Sequence, residues 1–165
     1  AIESLELAVK LGPKEILSRF QLVKAYHTIN NNNEAWAQLM ACNQLSPFHG
    51  EVAMMAEIIA ISDRKNPIWL KTAWQLLSHY FKKDNQNSTA LTMLFDLSFL
   101  MLSKENFIWA CEKSNWETMR ADPEFIRKTS WILRKFDELD WMDVAKEFLN
   151  KIVPRDQFPS VGKQT

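Results

Sequence analysis

The sequence predicts an all-α fold of antiparallel helix–turn–helix repeats stacked as an α–α superhelix. Three observations carry that expectation. Pro13 and Pro47 lie thirty-four residues apart, and the residues before them align in register: Ala1 with Ala35, Leu5 with Leu39, Ala8 with Cys42, Leu11 with Leu45. That spacing is the length of a two-helix unit closed by a helix-breaking proline. Only 3 glycines occur, which leaves few positions for hairpin turns or phosphate-cradling loops. No stretch alternates apolar and polar residues long enough for a strand.

Caps and breakers divide the chain into about nine helices joined by short loops. The first runs to Leu11 and the second from Lys14 to Ile29. Asn30 to Asn33 reads as a turn, because asparagine tolerates left-handed backbone and caps helices. The third helix spans Glu34 to Leu45, and the fourth Gly50 to Ser62. Asn66-Pro67 supplies a cap and a first-turn proline for the fifth, which runs to Phe81. After the polar run Lys82 to Asn87, the sixth covers Ser88 to Leu102 and the seventh Glu105 to Met119. Asp122-Pro123-Glu124 opens the eighth in the same style, Asp140 is expected to cap the ninth, and Pro154 ends it. Residues 1–154 thus read as one helical-repeat domain and 155–165 as a flexible tail. The chain starts at Ala1 inside a helical pattern, as a piece of a longer protein would.

The proline-closed pattern resembles the tetratricopeptide repeat family. Before Pro47 stand Leu22-Val23 and Tyr26 on a first helix, then Ala35, Leu39 and Cys42 on a second. Before Pro13, the residues Ala1, Leu5 and Ala8 match the second helix of a preceding unit. The resemblance covers Ala1 to Pro47 and becomes degenerate beyond; a superhelix of such repeats is favoured, with a non-repeating helical bundle as the structural alternative for the whole chain. Arg19 stands where the family carries a bulky apolar residue, and Val23 replaces its glycine or alanine.

The resemblance implies that the first helix of each pair lines a concave groove, which points to Phe20, Lys24, His27, Met54, Ile58, Phe95 and Phe99. Such a groove is apolar. Lys24 alone cannot supply the convergent cations that clamp a terminal carboxylate. An extended apolar peptide or an amphipathic helix fits better. Each of these side chains also has a plainer reading as core of the stack, as do most of the 7 tryptophans.

Charge narrows the function further. The 20 basic residues balance 20 acidic ones, so no overall field favours nucleic acid or anionic lipid. From Trp36 to Ile61 the only formal charges are Glu51 and Glu57, whereas Glu124 to Lys151 carries 12. The first stretch is either sandwiched between helices or part of a docking surface. The 2 cysteines are too few for a disulfide framework and favour a reducing compartment, with the cytoplasm preferred. The apolar run Ala90 to Leu102 is interrupted by Asp96 and too short to enter and span a bilayer.

His27, His49 and His79 are scattered, and no Cys-x-x-Cys, phosphate loop or nucleophile elbow is present. No catalytic residue, metal ligand or cofactor is expected. The sequence therefore reads as a non-catalytic interaction or scaffold module that binds a peptide, a helix, a partner subunit or a second copy of itself. The alternative is a helical accessory domain of a larger enzyme, such as a transferase, that positions substrate or partner.

Overall fold

A computed structural model describes residues 1–153. They form ten α-helices: α1 Ile2–Leu11, α2 Ile16–Thr28, α3 Asn32–Leu45, α4 Gly50–Ser62, α5 Pro67–Lys83, α6 Ser88–Leu100, α7 Lys104–Lys113, α8 Trp116–Ala121, α9 Pro123–Leu139 and α10 Met142–Ile152. No strand occurs among the described residues. Pro154 and the expected tail at 155–165 lie outside them.

Local chemistry sets most of the helix starts. The Asn66 side chain accepts from the N–H groups of Ile68 and Trp69, ahead of a helix that opens on Pro67. Asp122 likewise accepts from the Glu124 N–H, with Pro123 in the first turn of α9. Each bond satisfies a donor that the first helical turn otherwise leaves unpaired, worth about 1 kcal/mol.

Three expected boundaries change. The seventh expected helix is broken in two at Ser114, because Asn115 caps a new start by accepting from the Thr118 N–H. Helix α3 begins at Asn32, so only part of the asparagine tract turns, with Asn30 in left-handed backbone at φ 62°. Asp140 does not open α10; at φ 57° and ψ 45° it closes α9, and Trp141 precedes α10 instead.

The chain divides into two compact units, Ala1–Lys83 and the residues from Asp84 onward. In the first, each helix packs on the next from α1 to α5, as in an array of helix pairs. Helix α4 starts thirty-four residues after α2 and α5 thirty-five after α3, so the two-helix period continues past Pro47 even where the side-chain pattern fades. Ala35, Leu39 and Cys42 are fully buried, and Leu22 and Val23 face them from α2 at no more than 1% exposure. A buried leucine contributes about 1.5–3 kcal/mol. Tyr26, Leu5 and Ala8 are half-buried, whereas Ala1, Pro13 and Pro47 are exposed.

The start of α4 is held against α5. A methyl group on Gly50 would stand 2.7 Å from the Tyr80 ring, so a larger residue there would have to displace that ring. Beside it, Phe48 sits in left-handed backbone at φ 61° and stacks on His79 with centroids 3.6 Å apart.

The second unit closes differently. Helix α6 packs on both α7 and α9, and α10 on α7, α8 and α9, so helices distant in sequence share one core. Its centre is aromatic: Phe95 stacks on Phe107 at 4.2 Å, and Phe136 and Phe148 meet Phe107 edge-on at 5.1 and 6.1 Å. Such pairs add about 0.5–1.5 kcal/mol each beyond burial. Polar ties complete it. The Asn85 side chain donates to the Lys113 carbonyl, the Asn85 carbonyl accepts from the Asn115 N–H, and the Ser88 hydroxyl donates to Asp122.

Candidate functional site

The first turns of α2 and α4 border one apolar cleft of about 150 Å³. Ile16, Leu17 and Phe20 line it from α2, and Val52 from α4, with His49 and Glu51 at the start of α4. The spacing of Ile16, Leu17 and Phe20 places them within one turn on adjacent parts of a helix surface. Phe20 and Val52 are buried, at 8% and 1% exposure, while Leu17 remains 63% exposed. The cleft therefore has a fixed floor and an open apolar lip. His49 is held in place by capping, its Nδ1 accepting from the Glu51 N–H at 3.3 Å.

Of the residues expected to line a groove, Phe20 is the one that borders this cleft. Lys24 is exposed, one helical turn on, with its ammonium 4.9 Å from the centroid of the Phe20 ring. That contact orients the lysine and is worth about 0.5–1 kcal/mol at an exposed site. His27 is half-buried and its Nδ1 is 3.0 Å from Asn32 Oδ1. Met54 is half-buried and Ile58 39% exposed, both on α4.

Phe95 and Phe99 require correction. They are buried, at 0% and 5% exposure, inside the aromatic core of the second unit. Phe99 touches Phe107, Trp131, Phe136 and Trp141. Carrying the groove register across to α6 fails because that helix is enclosed by α7 and α9 rather than presented on an array. Sequence reading in turn missed Ile16, Leu17, His49, Glu51 and Val52. The available signal was Ile16 and Leu17 one turn ahead of Phe20, together with Val52 two residues ahead of Met54.

Neither cysteine is activated as a nucleophile. Burial pushes the Cys42 thiol up to about 11, and burial raises Cys111 as well; both cysteines are free. Thiols held protonated are poor nucleophiles. Among the described residues no group of three or more His, Cys, Asp or Glu side chains could hold a metal ion. No described helix is long and apolar enough to cross a membrane.

A similar fold occurs in a solved structure. The MamA RS-1 ArsTM double mutant, a tetratricopeptide-like protein, superposes with a TM-score of 0.69 at 16% identity, over 92% of this chain and 80% of that one. This likeness shows the fold: the chain is an all-α protein with a tetratricopeptide-like helical-repeat architecture. No family model matches the sequence. No curated protein matches it either.

Proposed function

We propose that this chain is a non-catalytic interaction module that holds a partner by taking one of its apolar side chains into the cleft between α2 and α4. The observation that supports the reading is the pairing of a buried floor, Phe20 and Val52, with the open lip at Leu17. A cavity of about 150 Å³ is the size that accommodates one benzene-sized group, so a leucine or phenylalanine side chain of a peptide or helix fits it. The helical-repeat fold adds support, since stacked helix pairs present continuous surfaces to partners. His49 and Glu51 offer polar contacts to the backbone on either side of such an anchor.

The test is a titration of methyl-labelled protein with N-acetyl-leucine amide, followed by NMR. The proposal expects saturable shifts at Ile16, Leu17 and Val52, and their loss in Leu17→Asp. Shifts spread evenly over exposed methyl groups, or unchanged by the substitution, would contradict it.

A further inference from the structure

The turn between α4 and α5 and the exposed side of α5 carry a second feature that shares no residue with the cleft. From Arg64 to Lys83 the chain has five cationic residues and no Asp or Glu. Arg64, Lys65 and Lys71 are all exposed, and none of them forms an ion pair among the described residues. Between them stands Ile68, an aliphatic side chain left 72% exposed. Ile68 and Lys71 are one turn apart on α5 and so neighbours on its surface. The nearest carboxylate in sequence, Asp63, is half-buried, and the Asn66 carboxamide is already engaged in capping.

An exposed apolar side chain with exposed cations on the preceding turn and one helical turn further on is complementary to an apolar side chain flanked by carboxylates. We infer that this patch docks an acidic segment of a partner protein, with an apolar anchor of that segment against Ile68 and its Asp or Glu residues facing Arg64, Lys65 and Lys71. Peptide recognition through a few spaced anchors needs only such a patch. An anionic membrane asks for a broader apolar face than one isoleucine. Duplex DNA gains its affinity from many phosphate contacts, more than three side chains provide.

The experiment is fluorescence anisotropy with a labelled peptide of alternating Glu and Leu pairs, at low and at physiological salt. Its comparators are the same peptide with Lys for Glu, the same with Ser for Leu, phosphatidylserine vesicles, and a short DNA duplex. The expected result is saturable binding of the Glu/Leu peptide that weakens with salt and is reduced by both peptide changes. Exposed charge pairs contribute about 0.2–1 kcal/mol each, so reversing all three cations to Glu should weaken binding about tenfold. Ile68→Ser should also weaken it, and circular dichroism should show the helical fold retained, since all four positions are exposed. Unchanged affinity in the charge-reversed variant, equal binding of the Lys peptide, or tighter binding of vesicles or duplex would overturn the inference. Absence of any saturable binding of the acidic peptide at low salt would overturn it too.

Discussion

Trp36 on α3 lies face to face with Trp69 on α5, their ring centroids 4.8 Å apart and their planes 12° from parallel. The two positions explain why the repeat fades in sequence but not in space. Trp69 falls thirty-four residues after the fully buried Ala35, so a large ring occupies the place of a methyl group, and it is accommodated by stacking on the residue next to that alanine. Two parallel indoles at this distance couple their electronic transitions. The expectation is that Trp36→Phe changes the near-ultraviolet circular dichroism contributed by the stacked pair while the far-ultraviolet helical signal is retained. Trp69→Ala, removing a side chain only 8% exposed, should cost about 3–5 kcal/mol in denaturant unfolding.

Ala35 itself sits where α3 is packed closely, with no exposed surface. Ala35→Trp overfills that contact and should lower stability by about 1–3 kcal/mol or more, seen as a lower thermal midpoint. An unchanged midpoint would remove the close-packed alanine from the account of the repeat.

Phe95 belongs to the core of the second unit and contacts both Phe107 and Phe148. Phe95→Ala should therefore destabilise by about 3–5 kcal/mol through the cavity it leaves. The same substitution should leave the N-acetyl-leucine amide shifts at Ile16 and Val52 intact under conditions where the variant remains folded. Loss of those shifts in a folded variant would return Phe95 to the binding surface.

Acid sensitivity follows from Asp122. The Ser88 hydroxyl donates to its carboxylate, with the Glu124 and Phe125 N–H groups adding to the effect, and these bonds hold it below the ordinary value of 3.8. A carboxyl whose folded pKa is depressed stabilises the fold above its unfolded pKa, and that contribution is lost as pH falls through the folded value. Asp122→Asn retains an N-capping side chain but lacks the charge. It should be less stable than the parent near neutral pH, with the gap closing once the pH drops below 3.8. Urea unfolding across that range checks both parts, and a gap that persists in acid would show the effect to be steric.

The helical class, most helix starts and the repeat as far as Pro47 were legible because they rest on local signals: asparagine and aspartate caps, prolines in first turns, and small residues in register. The helix break at Ser114 was missed although Asn115 is a standard cap, since the apolar pattern runs through it. Asp140 was misread because aspartate serves both at helix starts and in left-handed closures, and sequence alone does not separate them. Register points to Phe20 on α2, which borders the cleft. Phe95 and Phe99 were misplaced for a different reason: the closure of α6 against α9 depends on contacts between residues far apart in the chain, which periodicity does not encode. Glu51 and His49 border the cleft at the start of α4, and Gly50 between them packs close to Tyr80, a relation between residues thirty apart that has no sequence signature.

The most direct measurement of the central claim is site-specific photo-cross-linking in the cells that produce this protein, with a benzophenone amino acid at position 17 and, as reference, at the exposed Glu124. The account predicts one dominant adduct from position 17 whose cross-linked peptide carries an apolar residue at the point of attachment, and none of that adduct from position 124. Equal labelling at both positions, or no adduct at position 17 beyond that background, would contradict it.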